Sequence, residues 1–339
     1  GFGEHERFTA KATTGRAIGS RHREGASVTL DSGQRFGKHF ELGAVGNFDR
    51  RPADPFYGIG NGDDASSLPE MPVDPTVDDL AREVKYRYQE ARVALTADIK
   101  PTDEVRLRLT GALTQLAFEP SSDGVAIDTV YQENALPGFV GGVEHAYGEL
   151  AVRWDTRDRS TPWESKQIPT RGSLIELFGE RVDRLDGGRD FGRYGGELQH
   201  FFRLARGPRV LIARVHASGV TGARDDVPFS ELPMLGGGDF LRGYSYNRFR
   251  DRAAAFGSLQ YEWDLSHFTN AYLFTDFGRV WASFEQVTAR GLRVGYGIGL
   301  DVHGESAFLF TFSVASSIDG GLFLNFAFNQ PINGVQRWR

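Results

Sequence analysis

The sequence lacks several features that would assign it to a common class of protein. None of its 339 residues is cysteine, which excludes a disulfide framework and a thiolate metal site. No apolar run approaches the roughly 18 residues of a membrane-spanning helix, and the first thirty residues are charged rather than signal-like. The 39 basic and 45 acidic residues leave a net charge of -6, which argues against a general nucleic-acid surface. A β-barrel passes these tests, because a strand crosses a membrane in only about 9–11 residues.

Phenylalanine and glycine are abundant instead, at 26 and 42 residues, a composition that suits strands, turns and interfacial aromatic girdles. Residues 292–302 carry apolar side chains at even positions and Arg, Gly or Asp at odd positions, which is the strand period. Comparable alternation occurs in 40–48, 105–113, 146–154, 255–265, 306–316 and 319–329. In 84–99 the apolar phase changes, which predicts a bulge near Gln89 and Glu90.

The connections between these segments differ in length. Short turns at 101–103, 206–208 and 303–306 alternate with long polar stretches at 50–81, 120–141 and 222–254. This asymmetry is typical of an outer-membrane barrel with its long loops outside the cell. A soluble sandwich would also alternate, but it would not need a Phe-rich face on strand after strand. About fourteen strand candidates can be counted, an even number that would close a barrel.

Two carboxylates and one arginine form the candidate site. Alternation in 255–265 turns Glu262 to the inside, and Asp276 must also point inward because a carboxylate is costly in a bilayer. Arg242 lies in a Gly-rich loop and could fold down onto both, since its planar fork suits a bidentate partner. In a wet lumen we expect this pair to contribute about 1–3 kcal/mol.

Several motifs together resemble the BamA/TamA superfamily of outer-membrane barrels. They are WDTRDRSTPWESKQIPTRG at 154–172, LGGGDFLRGY at 235–244, YEW at 261–263, FTDFG at 274–278 and FYGIGN at 56–61. The resemblance covers most of 40–330, and FYGIGN recurs in members that lack POTRA repeats or carry other domains in their place. The C-terminal end departs from the family pattern, because NQPINGVQRWR follows Phe328 where family chains stop on an aromatic closing strand.

The resemblance implies an all-β fold: a transmembrane antiparallel β-barrel of sixteen strands. We expect residues 1–339 to form this single domain, with a long extracellular loop at about 222–254 folded into the lumen. The family's contact between the loop arginine and the strand aspartate is carried over to Arg242 and Asp276. The candidate loop–barrel lock comprises Arg242, Gly243, Tyr244, Glu262, Asp276 and Gly278, and the turn signature comprises Asp155, Arg157, Asp158 and Gly172.

The expected function is insertion, assembly or translocation of proteins at the outer membrane of a Gram-negative bacterium. Partners would be outer-membrane lipids, lipopolysaccharide and a polypeptide substrate, with no nucleic acid; the oligomeric state stays open. The alternative is a plugged barrel that serves as membrane anchor or export pore for a separate domain upstream of Gly1. No catalytic constellation, cofactor motif or metal-ligand spacing is found, so an enzyme is not expected. Gly295, Gly297 and Gly299 lie inside a strand and are expected to make room for the loop.

Overall fold

The structure is a computed structural model that describes residues 7–17, 21–61, 83–158, 169–204, 209–266, 268–304 and 308–328. The middle of the turn signature (159–168) and the tail after Phe328 lie outside these described residues. Helical structure in the described parts is limited to single 3-10 turns, none of which has the length or apolar character to cross a membrane.

Sixteen strands are described. They are β1 (Arg7–Ala17), β2 (Arg21–Asp31), β3 (Phe40–Phe56), β4 (Val84–Ile99), β5 (Val105–Pro120), β6 (Val143–Asp155), β7 (Gly172–Arg184), β8 (Phe191–Arg203), β9 (Arg209–Val220), β10 (Met234–Leu235), β11 (Phe249–Arg250), β12 (Ala253–Ser266), β13 (Thr269–Trp281), β14 (Arg293–His303), β15 (Phe308–Ser317) and β16 (Leu322–Ala327).

Fourteen of these strands form one sheet in chain order, from β1 to β9 and then from β12 to β16. Neighbouring strands of this sheet pair in antiparallel fashion, as in β1–β2, β3–β4 and β12–β13. The other two strands, β10 and β11, form a small ribbon of their own. The all-β antiparallel fold is therefore confirmed, and the sheet contains the fourteen strands counted in the sequence.

The two faces of β14 follow the alternation in the sequence. Tyr296 and Ile298 each expose 49% of their surface, and Leu300 exposes 38%. On the opposite face Gly299 and Asp301 are buried. One face of the strand is thus apolar and exposed, whereas the other is small or charged and covered.

The bulge expected in β4 is not there. Residues 86–99 of β4 pair with β5 in one continuous register. The irregularity lies in the partner strand β3, where the register shifts between Arg51 and Asp54. β4 is therefore regular. Its apolar residues change face because the inward side of the strand is apolar at its N-terminal end.

By contacts the described chain forms two compact units. The first contains Gly1–Val152, Phe178–Tyr194 and Val220–Leu232, and the second contains Arg153–Leu177, Gly195–Gly219 and Pro233–Arg339.

The first unit contains an aromatic core that loops build against the strands, called the loop core. Phe229 lies at its centre, with ring centroids 5.8 Å from Phe56, 5.4 Å from Tyr86, 5.0 Å from Phe118 and 5.9 Å from Phe139. All five rings are buried. This core explains the apolar inward residues at the start of β4, which an alternation argument assigned to a change of phase.

The second unit contains a smaller apolar cluster between the connection 221–252 and strands β12 and β13. Its members are Leu235, Phe240, Leu241, Tyr244, Phe249, Ala254, Phe256 and Val280, all of them buried. Five of these residues come from the connection itself, so the connection is held by packing as well as by hydrogen bonds.

Candidate functional site

The connection between β9 and β12, called the RGY loop (residues 221–252), is shaped by residues in the left-handed backbone region. Gly236, Gly237 and Gly243 have φ of 116°, 99° and 94°. Leu241 has φ 61°, which is unfavourable for a side chain with a Cβ. Leu241 is fully buried, so apolar packing offsets this strain and fixes the backbone immediately before Arg242.

Arg242 binds Asp276 of β13 through three donors. Its Nε lies 2.9 Å from Asp276 Oδ2, its Nη2 lies 2.8 Å from Oδ1, and its backbone N lies 2.9 Å from Oδ2. The Ser258 hydroxyl of β12 donates to Oδ1 at 2.7 Å and accepts from Nη2 at 3.1 Å. This is the bidentate geometry in which an arginine and a carboxylate interact most strongly.

Both charges of this pair are shielded from water. The Asp276 side chain exposes 0% of its surface, and the Arg242 side chain exposes 10%. Burial on its own would lower the pKa of Arg242, but the Asp276 carboxylate outweighs this effect and raises that pKa. The guanidinium therefore stays charged in place.

Glu262 is reached from Arg242 only through another side chain. Arg242 Nη1 donates to Gln260 Oε1 at 2.8 Å, and Gln260 Nε2 donates to Glu262 Oε1 at 2.7 Å. The sequence analysis predicted that Glu262 would accept directly from Arg242. It does not, because the neutral Gln260 of β12 lies between the two charged side chains.

Aromatic rings complete the surroundings of the guanidinium. Its carbon lies 3.5 Å from the Phe274 ring centroid and 6.0 Å from that of Tyr272. A Cβ on Gly297 would meet the Phe274 ring, and one on Gly299 would meet the Tyr272 ring. These two glycines make room for rings of the neighbouring strand rather than for the RGY loop, which is a further correction.

Three glycines allow the RGY loop to lie against the strands. A Cβ on Gly295 of β14 would overlap the Arg242 carbonyl oxygen, and a Cβ on Gly243 would overlap the Ser316 oxygen of β15. Gly278 of β13 lies under the loop, where a Cβ would come within 3.0 Å of Leu235 and 3.5 Å of Leu241. Backbone-to-backbone contact at Gly243 and Gly295 leaves no space for any other residue.

Tyr244 continues this line of contacts. Its hydroxyl donates to Asp319 Oδ2 at 2.8 Å, in the turn between β15 and β16. Burial and this hydrogen bond raise the pKa of Tyr244 to about 12. Residues 242–244 therefore contact, in succession, β12 and β13, then β14 and β15, then the last hairpin.

A second buried ion pair supports the RGY loop, and sequence reasoning missed it. Arg214 of β9 donates to Glu197 of β8 through Nε at 2.8 Å and through Nη2 at 3.0 Å. Its Nη1 donates to the Asp239 carbonyl oxygen of the RGY loop at 3.0 Å. Burial raises the pKa of the nearby Asp239 carboxyl. Alternation shows which residues of a strand share a face, but it does not show which inward residues of different strands meet.

A third anchor lies in the first compact unit. Arg193 of β8 binds Glu180 of β7, with Nη2 to Oε1 at 2.5 Å, and also binds Glu231 of the RGY loop. Its guanidinium lies 5.4 Å from the Tyr147 ring centroid, and that of Arg92 lies 5.3 Å from the same ring. Glu231 thereby fixes the beginning of the RGY loop to the strands beside it.

The residues of the turn signature make contacts within their own turn. Arg157 donates to both carboxylate oxygens of Asp155 at 2.8 Å. Asp158 accepts from the Thr170 backbone N at 2.7 Å and from its hydroxyl at 2.6 Å, which joins the two sides of the turn. Burial opposes ionisation of Asp158, but these hydrogen bonds hold its pKa below the usual value. Gly172 has φ 102° and lies too close to the 156–157 backbone for a Cβ.

An antiparallel sheet with one apolar exposed face, and a loop pinned by a buried arginine to the opposite face, defines a transmembrane β-barrel protein. The chain belongs to the Omp85 superfamily, whose domain matches residues 71–322. Proteins of this superfamily are outer-membrane barrels. No curated protein sequence matches the chain.

Solved structures show the same fold at low sequence identity. BamA from Haemophilus ducreyi lacking POTRA domains 1-3 is 14% identical with a TM-score of 0.59, and the match covers 91% of this chain and 62% of that one. CdiB from Acinetobacter baumannii is 12% identical, TM-score 0.53, covering 91% and 50%. CdiB from Escherichia coli is 10% identical, TM-score 0.54, covering 90% and 52%. The chain thus spans about three fifths of the BamA structure and half of each CdiB structure.

Proposed function

We propose that this barrel acts at the outer membrane of a Gram-negative bacterium in the insertion, assembly or translocation of proteins. The observation that carries the proposal is the buried contact of Arg242 with Asp276, which pins the RGY loop across β12 to β15. A loop fixed in this way to the inner wall obstructs conduction, which disfavours a wide open pore. The substrate would be a polypeptide, with outer-membrane lipids and lipopolysaccharide around the barrel.

The activity can be tested with the purified chain in liposomes. An unfolded eight-stranded outer-membrane protein, diluted from urea, should fold faster into these liposomes than into protein-free ones, as measured by its heat-modifiable gel mobility. Liposomes that carry an unrelated barrel at the same protein-to-lipid ratio are the control, because any barrel perturbs lipid packing. A folding rate no faster than that with the unrelated barrel would contradict an insertion role.

A second candidate function is a plugged barrel that anchors or exports an upstream domain. The loop core supports it, since Phe229 and its four ring partners cover the inward side of β3 to β5 with apolar side chains. Such a barrel would give the same folding rate in the liposome assay as the unrelated barrel. Cell-surface display of a domain fused ahead of Gly1 would support it.

The lipid-facing side of β14 gives a test of membrane insertion. Leu300→Arg should destabilise the barrel by about 2–4 kcal/mol if the residue lies near the bilayer midplane. Leu265→Arg is the matched control, because Leu265 is 59% exposed and lies one residue from the end of β12, where a charge costs about 0–1 kcal/mol. The measurement is urea unfolding in lipid vesicles. A Leu300→Arg variant as stable as the parent would contradict the assignment of this face to lipid.

Conductance should distinguish this barrel from an open porin. A barrel of about fourteen to sixteen strands leaves a water channel unless something fills it. We expect small or erratic conductance in planar bilayers, and larger openings after deletion of 236–246. Arg242→Ala, which leaves the loop intact but unpinned, should show intermediate openings. Steady porin-sized conductance of the unaltered protein would contradict the inward position of the RGY loop.

A further inference from the structure

Asp319 accepts hydrogen bonds from two other parts of the barrel. It lies in the turn that joins β15 to β16. The Tyr244 hydroxyl donates to its Oδ2 at 2.8 Å, and Arg293 Nη1, at the start of β14, donates to the same oxygen at 2.9 Å. One carboxylate therefore joins the RGY loop, β14 and the last hairpin.

The position of Tyr244 is determined by its neighbours. The preceding Gly243 packs against the β15 backbone, where a Cβ would overlap the Ser316 oxygen. The Tyr244 ring is 7% exposed and packs edge-on against Phe249 at 5.2 Å. Its hydroxyl also lies 3.4 Å from the Val294 oxygen. Because these contacts already fix the ring, the hydrogen bond from its hydroxyl to Asp319 costs little further side-chain entropy.

Arg293 is held to the RGY loop by a second contact. Its guanidinium lies 5.5 Å from the Phe249 ring centroid, a cation–π arrangement. Its side chain exposes 19% of its surface and that of Asp319 exposes 44%, so the ion pair is shielded on the arginine side and open to water on the other. The ring of Phe249 and the carboxylate of Asp319 thus form one connected group with Tyr244 and Arg293.

The strand beyond this turn is short, and its inward side makes few contacts besides the ladder: Phe323 packs against Tyr272, Phe274 and Ala315, and Asn325 Nδ2 donates to Ser313 Oγ at 3.4 Å. β16 has six residues, and in the described part of the chain its ladder is made with β15. Its outward side chains are exposed, at 72% for Leu322, 66% for Leu324 and 54% for Phe326. A short strand at the end of a sheet depends on its hairpin turn for its position.

We infer that Tyr244, Asp319 and Arg293 form a latch through which the RGY loop fixes the last hairpin, β15–β16. Movement of the RGY loop then releases the hairpin turn, and the end of the sheet becomes free to shift. The coupling of loop to hairpin is a property of the fold alone. That its release admits a substrate polypeptide at β16 rests on the proposed function.

Hydrogen–deuterium exchange of the full chain in lipid nanodiscs tests the latch. Tyr244→Phe and Asp319→Ala should each speed exchange of the β16 amides, residues 322–327, roughly ten-fold, the size expected for loss of one hydrogen bond to a charged group. The double variant should exchange no faster than Asp319→Ala, because that change already removes the acceptor of the Tyr244 hydroxyl. Asp225→Asn, in the exposed part of the RGY loop, and Tyr296→Phe, on the outward face of β14, are the matched controls.

The outcomes separate the latch from the proposed function. Unchanged β16 exchange in Tyr244→Phe, a substitution conservative enough to fold, would overturn the latch. Additive effects of the two substitutions would also overturn it, since they would act through different contacts. Faster exchange together with an unchanged folding rate in the liposome assay would keep the latch and overturn its role in substrate entry. An inactive parent protein with a latch-dependent β16 would contradict the proposed function alone.

Discussion

Asp276→Ala should destabilise the barrel by about 3–5 kcal/mol, the cost of leaving a buried charge without its partner. Asp276 accepts hydrogen bonds from the backbone N, Nε and Nη2 of Arg242 and from the Ser258 hydroxyl. Its side chain is fully buried, so water cannot replace these donors. The figure exceeds the 1–3 kcal/mol expected for a wet lumen, because the structure shields the pair almost completely.

Urea unfolding in lipid vesicles, followed by tryptophan fluorescence, measures this effect. Asp183→Ala is the matched control, because Asp183 pairs with Arg181 at 2.7 Å but the two side chains are 51% and 71% exposed. An exposed pair of this kind contributes about 0–1 kcal/mol. Similar losses for the two variants would show that the Arg242–Asp276 pair is not shielded as described. If proteolysis of the RGY loop is faster in Asp276→Ala but not in Asp183→Ala, the loss of stability arises where the loop is held to the strands.

The inward position of Asp276 could be predicted because it needs only two facts. Strand residues alternate between faces, and a carboxylate is excluded from the lipid side. Its contact with Arg242 came from the family resemblance, since nothing in the sequence measures how far a loop folds back. The left-handed Leu241 that aims Arg242 is a consequence of packing in the folded chain.

Alternation failed where the inward side is not polar. The change of phase in 84–99 was interpreted as a bulge near Gln89 and Glu90, because apolar residues were assumed to point to lipid throughout, and β4 is regular there. Val84 and Tyr86 point inward and are buried in the loop core, next to Phe229. Phe229 comes from a segment more than 140 residues away in the sequence, so no local pattern could reveal the reversal.

Contacts between inward residues of different strands were also beyond the sequence. The Glu197–Arg214 and Arg193–Glu231 pairs depend on the register of neighbouring strands and on the path of the RGY loop. The two-residue period shows that a side chain points inward. It does not show which side chain of a neighbouring strand lies beside it. The same limitation hid Gln260, the neutral side chain between Arg242 and Glu262.

Glu197→Ala should have an effect of the same size as Asp276→Ala, about 3–5 kcal/mol, because it leaves Arg214 buried with its charge uncompensated. The side chains of Glu197 and Arg214 expose 0% and 3% of their surface. Gln199 also donates to Glu197, at 2.5 Å, and His216 Nδ1 lies 3.2 Å from it. Removal of the carboxylate therefore disturbs a group of three polar side chains.

Replacing both charges separates stability from loop position. A buried ion pair exchanged for apolar residues of similar volume leaves no unpaired charge, so Glu197→Leu with Arg214→Met should be more stable than Glu197→Ala, although Gln199 and His216 lose one acceptor in both. The methionine can keep the packing of Arg214 against the rings of Phe240 and Phe256, at 4.9 Å and 5.4 Å. It cannot donate to the Asp239 oxygen, so proteolysis within the RGY loop should be faster than in the parent. A double variant as unstable as Glu197→Ala would contradict this account, since the cost would then come from lost shape rather than from an unpaired charge.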